Sequence, residues 1–126
     1  SEFLEELQEF WRGITSITYE VSADTSNHIS SNAILLECMN EVIREAINNA
    51  IKHASATNIS ISISDRAGNL ITLEVVNDVV KSESSASTDK GLGSKIYDEI
   101  CQSWKLEQGK LESTLIATFA VDESFA

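Results

Sequence analysis

The spacing of apolar residues in the first half of the chain predicts a helix, a strand and a second, longer helix. Glu2–Trp11 carries its apolar side chains on one helical face, and Ile14–Val21 alternates loosely, as a strand does. Ser22–Ser31 is a polar loop, and its last two serines are good N-caps for a helix over Asn32–Ala54. This long helix is the central element of the predicted fold.

Alternating apolar and polar positions in the second half predict two β-hairpins. Isoleucines alternate with polar residues over Thr57–Ser64, which indicates a strand covered on one face only. Asp65–Asn69 is a turn, and Leu70–Asn77 is the returning strand. The second hairpin comprises Ser103–Gln108 and Glu112–Val121, joined by a turn that contains glycine and lysine.

A polar segment and a third helix separate the two hairpins. Val79–Lys90 is rich in serine and has no periodicity, which predicts a mobile loop. A helix begins at the following glycine and ends near Gln102. Helices gathered on one face of half-polar strands describe an α/β (more strictly α+β) two-layer sandwich with a mixed β-sheet. The length is typical of a single domain over residues 1–126.

Composition and charge argue against two classes of partner, nucleic acids and membranes. The formal net charge of −11 means that the phosphate backbone of a nucleic acid would be repelled. We also expect no direct membrane contact, because no apolar run is long enough to span a bilayer. Cys38 and Cys101 lie in apolar helical patterns and are expected to be buried free thiols, with a disulfide or a reactive thiol as the alternatives.

Three polar residues of the long helix form the most informative pattern in the chain. Glu45, Asn49 and Lys52 are four and then three residues apart, so they share one helical stripe at about 100° per residue. A carboxamide oxygen suits Mg²⁺, a carboxylate can act as a base or orient a metal-bound water, and an ammonium neutralises phosphate. The stripe therefore indicates a site for a metal-bound phosphate chain. The alternative is a solvated helix face.

A glycine-containing segment at the start of the third helix is a second candidate site. In Lys90-Gly91-Leu92-Gly93-Ser94, the glycines let the backbone approach an anion closely. The amides of the helix N-terminus favour negative charge. The segment directly follows the loop predicted to be mobile, as a loop that covers a ligand would. The alternative is a tight turn into a helix.

Polar groups also stand at the ends of two other elements. Asn77 and Asp78 close an apolar strand, so they either point into a pocket at the sheet edge or simply terminate the strand. His53 lies in the last turn of the long helix, where it can cap helix carbonyls. The residues alone favour this capping role over catalysis.

Taken in order, these segments resemble a known family. Glu41–Ala54 (EVIREAINNAIKHA) resembles the N box of the GHKL ATPases and is most similar to the histidine-kinase branch. Leu73–Val79 stands in the place of the family's adenine-contacting D-x-G box. Gly91-Leu92-Gly93 is similar to its second glycine box. The resemblance covers roughly Ala33–Val121 and implies the Bergerat ATP-binding fold.

The resemblance implies a site for ATP and Mg²⁺. It implies that Asn49 ligates Mg²⁺, that Glu45 acts as the base or orients a metal-bound water, and that Lys52 contacts phosphate. It also implies that Asn77 reaches the adenine amino group. The implied nucleotide-binding set comprises Asn49, Lys52, His53, Asn77, Asp78, Lys90, Gly91, Leu92, Gly93 and Ser94.

Two positions depart from the family pattern. The expected aspartate is Asn77, and the expected glycine two residues later is Val79. An asparagine oxygen can still accept a hydrogen bond from an adenine amine. Valine lacks the backbone freedom of glycine, so a reduced or lost nucleotide affinity is expected.

The function implied by the resemblance is that of the ATP-binding catalytic domain of a two-component sensor histidine kinase. Such a domain presents Mg²⁺ and ATP to a histidine on a separate domain. Its partners would be ATP, that phosphoacceptor domain and a response regulator. We expect a cytoplasmic piece of a longer protein, either membrane-anchored or not. The alternatives are an anti-sigma-factor-type serine kinase acting on a protein substrate, and a degenerate module that binds nucleotide or a partner without catalysis.

Overall fold

The elements of the fold follow the chain in the predicted order. A computed structural model describes residues 2–22, 25, 32–66, 69–81 and 92–121. The helices and strands are α1 (Glu2–Phe10), β1 (Ser16–Val21), α2 (Ala33–Ala54), β2 (Asn58–Arg66), β3 (Leu70–Asp78), α3 (Leu92–Ile100), β4 (Ser103–Gln108) and β5 (Glu112–Ala120). Each predicted helix and strand is therefore confirmed, with ends displaced by a few residues. The two predicted polar loops lie mostly outside the described residues.

The strands form one mixed sheet. Its five strands are ordered β1-β2-β3-β5-β4. β1 runs parallel to β2, because α2 connects them as a crossover, and the other neighbouring pairs are antiparallel. This arrangement confirms the predicted two-layer sandwich. Among the described helices, none combines the length and the apolar character that crossing a bilayer requires.

The buried apolar residues that the structure describes form one core between the sheet and the helices. Ile59, Ile61 and Ile63 of β2 are buried, while the polar residues between them are exposed, so the alternation in the sequence is confirmed. Each fully buried isoleucine contributes about 1.5–3 kcal/mol relative to an exposed one. The buried residues of α2 are Leu35, Met39, Val42, Ile43, Ala46, Ile47, Ala50 and Ala54.

Not every apolar residue of α2 is buried. Leu36 is 36% exposed, because the face that packs on the sheet is centred between Leu35 and Met39, about 80° away from Leu36. Val42 is fully buried in this face.

The N-terminal cap of α2 corrects a second prediction. Asn32, and not one of the two serines before it, has the extended backbone of an N-cap, with φ −131° and ψ 93°. Its Oδ1 accepts a hydrogen bond of 3.0 Å from the amide of Leu35. The prediction of serine caps was wrong because serine and asparagine are equally good caps, so that composition alone does not choose between neighbouring positions.

This cap generates a stability prediction with a matched control. Asn32→Ala leaves the Leu35 amide without its side-chain acceptor and is expected to lower the free energy of unfolding by about 1 kcal/mol. Asn48→Ala changes an exposed asparagine inside the same helix and is expected to raise stability by a few tenths of a kcal/mol, about the difference in helix propensity. Urea unfolding measures both values. Equal effects of the two substitutions would show that Asn32 does not cap α2.

Candidate functional site

The carboxyl end of α2 is joined to the end of β3. The helix closes with Ser55 in the left-handed region at φ +51°, and the amide of Ala56 donates to the carbonyl of Ala50 over 3.2 Å. The last carbonyl of the helix, that of Ala54, accepts hydrogen bonds from the amides of Val80 and Lys81 at 2.9 and 3.0 Å. The chain leaving β3 is therefore fastened to the end of α2.

Helix α3 lies against α2 and runs antiparallel to it. Tyr97 of α3 contacts the polar stripe of α2 at Asn49. Farther along, the thiol of Cys101 interacts with that of Cys38, near the start of α2. The two helices therefore run in opposite directions. The N-terminus of α3 consequently lies toward the carboxyl end of α2, where the chain also leaves β3.

The same contact shows the state of the two cysteines. Cys38 and Cys101 are both half-buried and free, which confirms the expectation of free thiols. Burial first, and then the neighbouring charges of Cys38 and Asp98, raise the pKa of Cys101 to about 11. Because the thiolate is the reactive form, these causes make Cys101 a poor nucleophile near neutral pH.

The polar stripe faces α3 at its first two positions. Glu45 and Asn49 are half-buried, while Lys52 is exposed at the carboxyl end of the stripe. A purely solvated helix face would leave all three side chains in water. The structure instead brings Glu45 and Asn49 together in the layer between the two helices.

Tyr97 completes this group. Its side chain is only 4% exposed and lies near those of Asn49 and Glu45. Burial raises the pKa of Tyr97 well above its usual range, the interaction with the Asn49 side chain opposes the rise, and the charge of Glu45 adds to it.

Asn77 lies on the helix-facing side of the sheet. It continues the buried row formed by Ile71, Leu73 and Val75 and is 9% exposed. Its Nδ2 donates a hydrogen bond of 2.9 Å to the backbone carbonyl of Asp78. Because the nitrogen is engaged by the backbone, the side-chain oxygen remains available as an acceptor.

Asp78 serves a different purpose from its neighbour. Successive strand residues point to opposite faces, so its carboxylate lies on the face of the sheet opposite the carboxamide of Asn77. It accepts hydrogen bonds from the Thr57 amide at 2.8 Å, the Thr57 hydroxyl at 2.5 Å and the Asn58 amide at 2.9 Å. Burial alone would raise its pKa, but these bonds outweigh it and lower the pKa. Asp78 therefore fastens β3 to the loop before β2, and the structure does not bring it to Glu45 and Asn49.

Val79 fits its position without strain. Among the residues that the structure describes, only Ser55 and Asn69 have positive φ without being glycine, so the backbone at Val79 does not need glycine. Its amide donates to the carbonyl of Leu111 at 2.9 Å. The backbone at Val79 is therefore free of the strain that replacing a glycine would cause at a position with positive φ.

The glycine segment is described only in part. Lys90 and Gly91 lie outside the described residues, and Leu92-Gly93-Ser94 forms the first turn of α3. The exposed amides of that turn are the groups that favour an anion, and they lie toward the carboxyl half of α2. His53 is half-buried in the last turn of α2, at the same end.

The side-chain oxygens of Glu45 and Asn49 suit a hard cation only if a bound ligand supplies further oxygen donors. Within the described ranges, no cluster of three or more His, Cys, Asp and Glu side chains lies close enough to hold a metal ion. Mg²⁺ is commonly held by one or two protein oxygens together with water and phosphate oxygens. The amide oxygen of Asn49, with the Glu45 carboxylate one turn earlier, fits that pattern.

Two residues of the site were missed in the sequence. Tyr97 was not singled out, although it is a residue with a polar tip on the apolar side of α3, and that combination is the signal that could have found it. Thr57 was not recognised as the partner of Asp78. No local pattern indicates this bond, because the two residues are 21 positions apart.

Comparison with known proteins relates the geometry to solved structures. No protein-family model and no curated protein matches the sequence. The catalytic domain of histidine kinase ThkA, in a nucleotide-free form, aligns with a TM-score of 0.62 at 14% identity, over 95% of this chain and 90% of that one. The blue-light activated histidine kinase EL346 of Erythrobacter litoralis aligns with a TM-score of 0.72 at 14% identity, over 99% of this chain and 42% of that one.

A third solved structure includes a nucleotide analogue. Full-length ShkA in complex with AMPPNP aligns with a TM-score of 0.64 at 14% identity, over 96% of this chain and 30% of that one. The chain has the fold of histidine kinase catalytic domains. This catalytic-domain fold is the Bergerat fold that the resemblance implied, here with Glu45 and Asn49 on the half-buried side of α2 near α3.

The Asp78 contacts generate a pH-dependent prediction. Because the pKa of Asp78 is lower in the folded state, its contribution to stability is present above the ordinary value of 3.8 and is lost as the pH falls through the lowered value. Asp78→Asn is therefore expected to be less stable than the natural chain at neutral pH, by about 1 kcal/mol for this partly exposed site. The difference should close as the pH falls below 3.8.

Urea unfolding over this pH range measures the effect. Glu112→Gln, which neutralises an exposed carboxylate on the neighbouring strand β5, is the matched control and is expected to change stability little at neutral pH. If Asp78→Asn were as stable as the natural chain at neutral pH, the hydrogen bonds from Thr57 and Asn58 would not stabilise the fold.

Proposed function

We propose that this chain is the ATP-binding catalytic domain of a sensor histidine kinase. It binds Mg²⁺ and ATP between α2 and α3 and presents the γ-phosphate to a histidine on a separate helical domain. The observation that carries the proposal is the half-buried pair Glu45 and Asn49, held against α3 in a fold shared with histidine kinase catalytic domains.

Each residue of the stripe has a role in this proposal. The amide oxygen of Asn49 holds Mg²⁺, which neutralises charge on the phosphate oxygens. Glu45 acts as the base or orients a metal-bound water, and Lys52 contacts phosphate as a point charge. Phosphoryl transfer depends chiefly on positioning and charge neutralisation, so these groups and the helix amides suffice without a covalent step on this domain.

The remaining residues complete the nucleotide site. Asn77 accepts a hydrogen bond from the adenine amine, and the start of α3 offers its backbone amides to the phosphates. His53 and Lys90 supply positive or polar groups at the phosphate end, while Asp78 supports the site by fastening β3.

The proposed partners follow from the proposed reaction. We propose that the phosphoacceptor histidine lies on a separate helical domain, since His53 lies in the last turn of α2, among the candidate nucleotide-binding residues. A response regulator would then receive the phosphoryl group from that histidine. The cytoplasm, where ATP is available, is the proposed location.

The first test of the proposal is nucleotide binding. Titration of ATP with Mg²⁺ is expected to raise the melting temperature of the natural chain, because a ligand that binds only the native state stabilises it. At a concentration about 100 times Kd the gain is about 2.7 kcal/mol. Asn49→Ala removes the proposed metal ligand and is expected to abolish the part of the shift that requires Mg²⁺.

Asn48→Ala is the matched control for this test, because it changes the neighbouring exposed asparagine and should leave the shift intact. No shift of the natural chain at millimolar nucleotide would contradict the proposal and favour a module without catalysis. A shift unchanged by Asn49→Ala would show that the metal is held by other groups.

The orientation of Asn77 generates a prediction about the base. Because its nitrogen is bonded to the Asp78 carbonyl, Asn77 offers an acceptor, which suits the amine of adenine and repels the carbonyl of guanine. ATP is therefore expected to bind at least about tenfold more tightly than GTP, as one hydrogen bond in a buried site allows.

Calorimetric titration with both nucleotides measures this preference. Asn77→Ala is expected to weaken ATP binding and to reduce the preference, whereas Asn77→Asp retains an acceptor and adds charge, so it should preserve the preference. Equal affinities of the natural chain for ATP and GTP would contradict the assigned orientation of Asn77.

A further inference from the structure

We propose that the outer edge of β4 is an interface through which two copies of this chain associate. The two β4 strands pair antiparallel about a twofold axis at Leu106, so that the two five-stranded sheets become one continuous sheet. The proposal concerns assembly and does not depend on the proposed function. It rests on the backbone groups that this edge presents and on the order of the charges along it.

The position of β4 in the sheet leaves one of its sides without a strand. β4 is the last strand in the order β1-β2-β3-β5-β4, and among the strands that the structure describes it pairs with β5 alone. Every residue of β4 is exposed except Trp104, which is half-buried. An edge strand presents unpaired amides and carbonyls, and these groups are a template for pairing with another chain.

The hydrogen bonds to β5 show which backbone groups of β4 face the outer edge. The amide of Gly109 donates to the carbonyl of Glu112 at 2.9 Å, and in an antiparallel pair such bonding recurs at every second residue. Lys105 and Glu107 therefore turn their amides and carbonyls toward β5. The residues of β4 that turn these groups outward are Trp104, Leu106 and Gln108.

These outward groups match those of a second copy in one antiparallel register. With Leu106 opposite its own copy, Trp104 lies opposite Gln108 of the second copy. Each of these is a hydrogen-bonded pair, which exchanges two backbone bonds. Leu106 lies opposite the buried Leu115 of β5, on the helix-facing side of the sheet, and is 45% exposed. Pairing at this axis therefore also covers an apolar side chain with its own copy.

The charges of β4 favour this register over its neighbours. Lys105 and Glu107 are exposed, and within one copy Nζ and Oε1 are 3.9 Å apart. With the axis at Leu106, Lys105 lies opposite Glu107 of the second copy, and symmetry repeats the pair. These are non-hydrogen-bonded pairs, in which the side chains come closest. Moving the axis by one residue would place Lys105 or Glu107 opposite its own copy, and like charges there are destabilising.

A second copy of this chain is therefore the partner that the edge fits. A lysine on an edge strand ordinarily discourages pairing. The spacing of Lys105 and Glu107 instead supplies its own complement when an identical strand lies antiparallel to it. Each copy has a net charge of −11, so two copies repel each other at long range. We accordingly expect a weak dimer that forms at high local concentration.

The first experiment measures association without any nucleotide. Sedimentation of the natural chain at about 0.15 M salt, where long-range repulsion is screened, is expected to show a monomer–dimer equilibrium between about 1 μM and 1 mM. Lys105→Glu and Glu107→Lys each place like charges opposite one another and should weaken self-association at least about tenfold. Glu20→Lys is the matched control on the exposed face of β1, since it changes the net charge as Glu107→Lys does and should not weaken the dimer.

A mixture of the two variants separates the register from a general effect of charge. Lys105→Glu leaves two carboxylates on the edge, and Glu107→Lys leaves two ammonium groups. In a mixed dimer each carboxylate lies opposite an ammonium, and the total charge equals that of the natural dimer. We therefore expect the mixture to associate about as strongly as the natural chain, although neither variant does so alone. A mixture that stays monomeric would overturn the register.

Amide hydrogen exchange identifies the edge that pairs. The amide of Leu106 faces outward and is expected to become protected as the concentration of the chain rises. Tyr19 is the control on the opposite edge of the sheet. The amides of Ser16 and Ser22 donate toward β2, so the amide of Tyr19, at an odd position between them, faces away from β2. Its exchange should not change with concentration.

Three results would overturn the proposal. The first is a natural chain that stays monomeric at about 1 mM. The second is a dimer in which the Leu106 amide stays unprotected or the Tyr19 amide becomes protected instead. The third is self-association of Lys105→Glu and Glu107→Lys as strong as that of the natural chain. None of these results bears on nucleotide binding, so the proposed function is tested separately.

Discussion

The packing of α3 against the polar side of α2 is the interaction on which the site depends. Two adjacent helices normally bury apolar stripes against each other, yet here a carboxylate and a carboxamide are placed in the contact layer. Burying such groups is unfavourable unless they find partners. Glu45 and Asn49 stay half-buried, and the buried side chain of Tyr97 lies near both of them.

The end of β3 shows how strand geometry divides structural from binding roles. Asn77 lies on the buried, helix-facing side of the sheet, while Asp78 points away and fastens the strand to the loop before β2. An acidic residue one position later cannot replace the aspartate of the family pattern, because a shift of one residue reverses the face. In the proposed function Asn77 would recognise the base through a neutral group, and Asp78 is part of the scaffold.

The sequence predicted the fold because its periodic signals are strong and agree with one another. The alternating isoleucines of β2 predicted a strand, and the helical spacing of the apolar residues of α2 predicted a helix. The order of the elements along the chain then predicted the two layers. The cap at Asn32 was missed because neighbouring cap-forming residues are equivalent in composition. The Thr57–Asp78 bonds and the Tyr97–Asn49 contact join residues far apart in the chain, so only the assembled fold reveals them. The sequence showed the polar stripe, but it did not show that Glu45 and Asn49 are half-buried.

The shared fold and the half-buried stripe together make this chain a nucleotide-binding kinase domain in our proposal, with one metal ligand on α2. A crystal structure of the chain with Mg²⁺ and a non-hydrolysable ATP analogue tests this most directly. We predict that the metal is bonded to the side-chain oxygen of Asn49, with the phosphates between α2 and the start of α3. A nucleotide bound elsewhere, or a metal whose ligands exclude Asn49, would contradict the proposed site.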